Sequence, residues 1–135
     1  MIRKFTQGNP DTDPDLYCLI GRWAVSEQVH EALGMPLTGR DGDIWLVSSD
    51  KTGPDGFCQI RIPKNGKIHI RFLFYDRMSA GKKLVEEILS LASEHEAKAV
   101  FTNDRKTALI WEKYGFSAHE SNRRGSFTRW EKELK

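Results

Sequence analysis

Residues 65–94 place the strongest constraint on how this chain folds. Asn65-Gly66 is typical of a tight hairpin, because both residues tolerate the positive φ that a two-residue turn requires. Residues 80–94 space their apolar side chains as a helix does. Between them, the pattern of residues 67–75 predicts a strand, whose successive side chains point to opposite faces of a sheet. One predicted face consists of Ile68, Ile70, Phe72 and Phe74, and the other consists of His69, Arg71, Leu73 and Tyr75. The sequence therefore predicts a hairpin whose second strand leads through a short loop into a helix.

The remaining residues predict further strands and helices on both sides of this unit. Before it, the patterns indicate a strand over 1–6, helices over 15–25 and 26–33, and strands over 44–48 and 57–62. After it, they indicate a strand over 98–102, a helix over 104–114, and two strands within 117–134 around an Arg123-Arg124-Gly125 turn. The order is β-α-α-β-β-β-α-β-α-β-β, which predicts an α/β fold with an antiparallel centre. A length of 135 residues is most simply one domain, 1–135.

Composition and charge argue against several classes of protein. The net charge of +2 is too small to indicate nucleic-acid binding by itself. No apolar run approaches the length that crosses a bilayer, and the first residues lack the apolar block of a secretory signal. Cys18 and Cys58 have neither the pattern of a disulfide framework nor the spacing of a metal site. We expect reduced thiols, no bound metal, no membrane contact and a cytoplasmic location.

The predicted late helix, 104–114, carries the sequence signals of a complete helix. Asn103 or Asp104 offers a short acceptor side chain at its start. Gly115 is suited to the left-handed residue that ends a helix, and Phe116 is placed to pack back on the last turn. This helix follows a strand–loop–helix unit that has cations at its helix start, and the combination is more informative than either part.

Together, residues 72–116 resemble the second half of the GNAT superfamily of N-acetyltransferases. The family's late helix commonly reads N-x-x-A-x-x-x-Y-x-x-x-G-F, and this chain departs from that pattern at Asp104, Thr107 and Trp111. The resemblance implies a GNAT-like α/β fold: a mixed, mainly antiparallel central sheet, flanked by helices, that splays between its fourth and fifth strands. It also implies transfer of acetyl from acetyl-coenzyme A (acetyl-CoA), as co-substrate, to an amine by direct attack in a ternary complex.

The family's phosphate loop, R/Q-x-x-G-x-G/A, has its counterpart in residues 76–81. In the family, backbone N–H groups of this loop and the helix dipole hold the pyrophosphate of coenzyme A. With the two sequences aligned on Leu84, Gly81 matches the second Gly/Ala. Asp76 stands where the family has Arg or Gln, and Ser79 stands at the first Gly.

Three cations near this loop are consistent with an anion site. Arg77 is one residue from the expected cation and is a candidate to replace it. Lys82 and Lys83 are predicted in the first helical turn, where the helix dipole disfavours cations unless an anion binds there. The alternative is a solvated helix face, on which glutamates four residues later pair with the two lysines.

By resemblance, the cofactor-binding residues are expected on one strand, the phosphate loop and the late helix. Main-chain groups around Leu73 and Phe74 would pair with the pantetheine amides as an added strand does. The full predicted set is Leu73, Phe74, Arg77, Met78, Ser79, Ala80, Gly81, Lys82, Asn103 and Trp111.

Two residues are candidates for proton transfer. Trp111 stands where the family has the tyrosine that is often assigned to protonate the departing thiolate, and an indole cannot do so. Tyr114, one turn later, is the candidate substitute, although a thiol leaves tolerably well unassisted and loss of catalysis is a further interpretation. His69 is the candidate general base, because its ordinary pKa of about 6.5 suits deprotonation of an ammonium. The alternative for His69 is a strand histidine with a hydrogen-bond partner.

The sequence does not identify the acceptor. By resemblance, acceptor recognition is expected within 16–37 and 117–129, where Arg123, Arg124 and Arg129 lie near aromatic residues. Such a composition is compatible with nucleic acid, an acidic small molecule or an acidic protein surface. The alternative to an acetyltransferase is a non-catalytic binding or regulatory protein of the same fold, acting on a partner protein or nucleic acid.

Overall fold

The structure is a computed structural model, and it describes residues 1–63, 65–105, 107–121 and 127–134. Within these residues, seven strands and four helices follow one another in the predicted order. They are β1 (Ile2–Thr6), α1 (Asp13–Ala24), α2 (Glu27–Leu33), β2 (Ile44–Asp50), β3 (Gly53–Arg61), β4 (Lys67–Tyr75), α3 (Met78–Glu94), β5 (Ala99–Arg105), α4 (Ile110–Lys113), β6 (Ser117–Ser121) and β7 (Phe127–Glu133).

All seven strands form one sheet in the order β1-β2-β3-β4-β5-β7-β6. Only β4 and β5 pair in parallel, and every other neighbouring pair in this sheet is antiparallel. The long helix α3 supplies the connection that a parallel pair requires. The predicted α/β class, with a mixed and mainly antiparallel sheet between helices, is confirmed.

Each face of the sheet is covered by its own helices. On one face, Leu84, Val85, Ile88, Leu91 and Ala92 of α3 pack against Leu46, Ile60, Ile68, Ile70 and Val100 of the strands. On the other face, Leu16, Ile20 and Trp23 of α1 and Val29 of α2 pack against Trp45, Val47, Phe57 and Phe72. Helical spacing in the sequence predicts this buried stripe, with Leu89 as a sixth member, and Leu89 is partly buried against the same core.

A bulge in β4 makes the predicted faces of this strand wrong. Gln59 of β3 pairs with Phe72, whereas the next residue, Ile60, pairs with Ile70. Arg71 is therefore an extra residue in β4, and an extra residue reverses the alternation beyond it. As a result, Ile68 and Ile70 lie in the α3-side core, while Phe72 and Phe74 lie on the face that α1 and α2 cover.

The pairing of β4 with β5 ends in the middle of β4. The register runs from Lys67 opposite Ala99 to Ile70 opposite Thr102 and stops there. The buried hydroxyl of Thr102 donates to the backbone carbonyl of Ile70 at 2.8 Å, at the last paired position. Beyond this point the two strands part, which is the splay that the resemblance implied.

The late helix is shorter than predicted, and its start was misassigned. The predicted span was 104–114, whereas β5 continues to Arg105 and α4 occupies Ile110–Lys113 alone. Asn103, Asp104 and Arg105 instead pair with residues 127–129 of β7, so the sheet satisfies their backbone groups. Neither Asn103 nor Asp104 caps a helix, because both lie within β5.

The end of the late helix is as predicted. Gly115 has φ of 86°, in the left-handed region that favours glycine. The amide of Phe116 donates to the carbonyl of Trp111 at 3.0 Å, and the two rings lie 5.1 Å apart. These contacts follow from residues close in sequence, which explains why local reasoning found this end and missed the other.

Helix α3 begins two residues earlier than predicted, at Met78 rather than Ala80. Lys82 and Lys83 therefore lie in the second turn, where the helix dipole acts on them less. Ser79 lies inside the helix, in its first turn, and Arg77 is the N-cap. The predicted Arg123-Arg124-Gly125 turn lies outside the described residues.

Among the described residues, no helix has both the length and the apolar character needed to cross a membrane. The same part of the chain contains no group of three or more His, Cys, Asp or Glu residues arranged to hold a metal ion. Cys18 and Cys58 are both free thiols, the first exposed and the second buried.

Candidate active site

A cleft of about 240 Å³ opens where β4 and β5 part. The residues that line it come from three elements that meet at the splay. They are Ala32 and Leu33 of α2, Leu73, Phe74 and Tyr75 of β4, and Asp104 and Arg105 of β5. The cleft thus combines an apolar wall with a phenol, a carboxylate and a guanidinium.

Within the part of the chain that the structure describes, the edge of β4 that borders this cleft has no strand partner. Residues 72–75 pair with β3 on their other edge, whereas the ladder to β5 ends at Ile70. Along an unpaired edge, alternate residues direct N–H and C=O groups outward. Leu73 and Phe74, which were predicted to pair with an extended ligand, lie on this stretch.

The start of α3 offers further backbone donors two residues after β4. Its N-cap, Arg77, makes no side-chain capping hydrogen bond. The amides of Ala80 and Gly81 donate to the carbonyl of Arg77, at 3.0 and 3.2 Å. The amides of Met78 and Ser79 lie in the first helical turn, where N–H groups have no partner within the helix. Both of these residues are exposed.

Gly81 is required here for a reason that the sequence did not reveal. A Cβ atom on Gly81 would lie 2.8 Å from the ring of Tyr75. Glycine therefore lets the ring at the end of β4 pack directly on the α3 backbone. A bulky substitution at Gly81 would displace Tyr75, which lines the cleft, as well as block the approach of a ligand to the helix.

The cation predicted to replace the family's loop arginine is already paired. The guanidinium of Arg77 forms ion pairs with the carboxylates of Asp50 and Asp55, beside the turn between β2 and β3. Asp76 lies 4.0 Å from the guanidinium of Arg22. Lys82 is exposed, and no ion pair is found for it among the described residues. Any anion at this helix start would therefore rely mainly on backbone donors.

Asp104 and Trp111 form a hydrogen-bonded pair at the cleft. The indole Nε1–H of Trp111 donates to Oδ2 of Asp104 at 2.8 Å, and the amide of Arg105 donates to Oδ1 at 2.6 Å. Trp111 is fully buried. Burial raises the pKa of the Asp104 carboxyl, and these two hydrogen bonds oppose that increase.

Tyr75 shares the cleft with Asp104. Burial raises the pKa of the Tyr75 phenol, and the negative charge of Asp104 raises it further. The two groups therefore influence each other across the gap between β4 and β5. Sequence reasoning missed both, because it treated Tyr75 as an ordinary strand residue and Asp104 as a helix cap.

His69, the predicted base, lies in the paired part of the sheet and does not line the cleft. It is registered opposite Phe101 of β5, with the rings stacked at 4.6 Å. Burial lowers the pKa of His69 to about 4, and the positive charges of Arg71, Arg61 and Arg129 contribute. The ring is neutral near neutral pH.

Tyr114, the predicted acid, is bonded to α3. Its hydroxyl donates to a carboxylate oxygen of Glu86 at 2.9 Å. Burial and this carboxylate raise the pKa of Tyr114 to about 12. Tyr114 does not belong to the described cleft lining either. The structure therefore brings Leu73, Phe74 and the Trp111 indole to the splay, and leaves His69 and Tyr114 away from the cleft wall.

No family model matches the sequence, and no curated protein matches it. The fold nevertheless matches solved acetyltransferases. Aminoglycoside 6′-N-acetyltransferase from Enterococcus faecium has a TM-score of 0.65 at 14% identity, covering 100% of this chain and 97% of that one. An acetyltransferase of the GNAT family from Staphylococcus aureus Mu50 has a TM-score of 0.66 at 12% identity, covering 100% of both chains. An aminoglycoside 6′-N-acetyltransferase complexed with coenzyme A has a TM-score of 0.65 at 14% identity and covers 100% of this chain and 97% of that one. The chain thus has the GNAT fold with a sequence far from these structures.

Proposed function

From the GNAT fold that it shares with those acetyltransferases, we propose that this protein transfers the acetyl group of acetyl-CoA to an amine. The observation that carries the proposal is the unpaired edge of β4 beside the cleft, followed directly by an uncapped helix start. These are the two backbone features that an extended pantetheine and a pyrophosphate require. The structure of a similar fold complexed with coenzyme A supports the same cofactor.

The residues proposed to bind acetyl-CoA follow from this arrangement. Leu73 and Phe74 would pair through their backbone with the pantetheine arm. Met78, Ser79, Ala80 and Gly81 would present the start of α3 to the pyrophosphate, with Lys82 nearby. Backbone donors make this binding less dependent on the side chains at which the loop departs from the family pattern, Asp76 and Ser79.

The proposed reaction is a direct attack in a ternary complex. The lone pair of a neutral amine forms a bond to the thioester carbonyl carbon, and the carbon–sulfur bond breaks with its electron pair going to sulfur. Positioning and backbone stabilisation of the carbonyl oxygen would supply most of the rate. The Trp111 indole does not protonate the thiolate, which leaves tolerably well because thiols have a pKa of about 8.5.

The first prediction concerns the charge at the helix start. Ser79→Glu should weaken acetyl-CoA binding by about tenfold or more, since a new carboxylate near a bound pyrophosphate is repelled. The same change should not unfold α3, because an acidic residue in the first turn is favoured by the helix dipole. Titration calorimetry with purified protein and acetyl-CoA measures the effect.

Ser79→Gln is the matched control, since it adds a similar bulk without charge. We expect it to bind acetyl-CoA within about threefold of the wild type, which is less than 1 kcal/mol. Equal weakening by both variants would contradict a pyrophosphate at this position. A wild-type protein that does not bind acetyl-CoA at millimolar concentration would overturn the proposed function and favour the non-catalytic alternative.

The cytoplasmic location expected from the cysteines stays a prediction.

A further inference from the structure

We propose that Asp104 is the general base that deprotonates the acceptor, and that Trp111 positions its carboxylate. This inference rests on the proposed acetyl transfer and adds to it the class of acceptor, an amine that arrives as an alkylammonium. Asp104, which lines the cleft, thus takes the role of general base that the sequence analysis predicted for His69.

Asp104 lies in the lining of the cleft. Among the described residues that line the cleft, Asp104 is the only one with a carboxylate. It lies on β5 just beyond the point where β4 and β5 part, across the gap from Leu73 and Tyr75. A base must lie within hydrogen-bond reach of the proton it removes. An amine bound in this cleft would meet Asp104 and no other acidic residue of the described lining.

Two hydrogen bonds hold the carboxylate of Asp104. Oδ2 accepts a hydrogen bond from the Trp111 indole, and Oδ1 accepts one from the Arg105 amide. Each oxygen has a second lone pair and can accept a hydrogen bond from a further donor. An indole N–H can only donate, so the bond from Trp111 favours the ionised carboxylate. The Trp111 ring is fully buried and packs against Phe116, so the position of its N–H donor is fixed.

This arrangement gives Trp111 a role at the position where the family has tyrosine. A tyrosine hydroxyl can donate or accept a hydrogen bond, whereas the indole N–H can only donate one. The substitution therefore exchanges a proton donor for a residue that orients a neighbouring base. Trp111 acts through Asp104 and is a positioning residue, not a catalytic one.

The charges around Asp104 suit this role. Among the described residues, the titratable groups that act on it are the phenol of Tyr75, from β4, and the guanidinium of Arg105, on β5 itself. Arg105 Nε lies 4.0 Å from Oδ1, and α4 contributes the uncharged indole. Burial raises the pKa of Asp104 above that of an exposed aspartate, which makes the carboxylate a better proton acceptor.

Two protons leave the acceptor nitrogen in the proposed reaction. The ammonium donates a hydrogen bond to Asp104 and gives up one proton to its carboxylate. The neutral amine attacks the carbonyl carbon, a carbon–nitrogen bond forms, and collapse of the tetrahedral adduct expels the thiolate. The second proton of the nitrogen passes through solvent to the thiolate, and Asp104 releases its proton to water.

Two small amines of similar size test the inference. Ethylamine is an ammonium ion at neutral pH, whereas hydroxylamine is mostly neutral and needs no base before it attacks. Asp104→Asn should lower kcat/KM by about 100-fold or more with ethylamine, and by less than about fivefold with hydroxylamine. The measurement is release of free coenzyme A thiol above the uncatalysed rate. Glu112→Gln, which removes an exposed carboxylate from α4, is the control and should change neither rate.

Trp111→Phe tests the positioning role separately. Loss of the indole donor should raise the pKa of Asp104 and move the acidic limb of the kcat/KM profile for ethylamine to higher pH. A purely structural role would lower the melting temperature without moving that limb, and this result would overturn the assignment for Trp111.

The remaining outcomes separate the two proposals. Absence of acetyl-CoA binding by the wild type overturns the proposed function, whereas Asp104→Asn should bind acetyl-CoA as the wild type does. Equal losses with both amines, or no loss with either, would overturn the role of Asp104 as base. Acetyl-CoA binding with no turnover of either amine by the wild type would also overturn it.

Discussion

His69 illustrates how a single residue can be chemically suitable and still be placed for another task. Its unperturbed pKa made it the natural candidate for a base, but the ring stacks on Phe101 below the splay. Among the described residues, the positive charges of Arg71, Arg61 and Arg129 lower its pKa, and the negative charge of the buried Asp43 opposes them. Such surroundings hold an imidazole neutral, so His69 fits a structural role better than proton transfer at the cleft.

A pH dependence of stability follows from His69. Its pKa is about 4 in the folded protein against 6.5 in the unfolded chain, so the unfolded state binds the proton first as pH falls. Stability should therefore decrease between pH 6.5 and 4, by about 2 kcal/mol for a partly solvated ring. Denaturant titrations across this range should show a shallower decrease for His69→Gln. The exposed His119→Gln is the control, and a wild-type slope in both variants would contradict the assignment.

At the scale of elements, the partial pairing of β4 with β5 creates the candidate site. Two local features set its limits: the bulge at Arg71 and the buried bond from the Thr102 hydroxyl to the Ile70 carbonyl. Beyond them, residues 72–75 of β4 have no partner in β5 among the described residues, whereas β5 stays paired with β7 along its whole length. The candidate site is therefore formed by the end of the β4–β5 pairing, and not by an inserted loop.

Thr102→Val tests the end of this ladder. Valine matches the shape of threonine but removes the hydroxyl, which leaves the Ile70 carbonyl without this donor in a buried position. We expect a loss of about 1–3 kcal/mol in the free energy of unfolding, measured by urea titration. Thr107→Val, at an exposed residue, should change stability by less than about 0.5 kcal/mol. Equal stability of Thr102→Val and the wild type would show that the bond contributes nothing.

At the scale of the whole molecule, one sheet carries two separate cores. The α3-side core contains Trp111 and Trp130, and the α1-side core contains Trp23 and Trp45. Because adjacent residues of the same strands supply both cores, loss of either face removes support from the other. We therefore expect the described chain to unfold as one cooperative unit.

A pair of core variants tests this cooperativity. Ile88→Ala, in the α3-side core, should cost about 2–5 kcal/mol, and Phe57→Ala, in the α1-side core, about 3–5 kcal/mol. Tryptophan fluorescence and far-UV circular dichroism should give coincident urea transitions in the wild type and in each variant. Separate transitions for the two signals would show that the two faces unfold independently.

The sequence by itself determined the elements whose signals are local. The bounds of the strand over 67–75 were predicted to the residue, because they follow from residues close in sequence. The predicted hairpin at Asn65-Gly66 does join β3 to β4, but it is not a two-residue turn: β3 ends at Arg61, β4 begins at Lys67, and of the pair only Gly66 has a positive φ. The α3 stripe, the left-handed Gly115 and the order of all eleven elements followed from the same short-range rules. The resemblance to the GNAT family, drawn from these segments, anticipated the fold.

The tertiary structure alone decided the bulge, the extent of β5 and the lining of the cleft. Asn103 and Asp104 have the side chains of a helix cap, yet they extend a strand because β7 supplies hydrogen-bond partners from far along the chain. The bulge at Arg71 likewise exists only relative to β3. Pairing between distant segments is invisible to local pattern, and it is this pairing that placed Asp104 beside Tyr75 and left His69 outside the cleft.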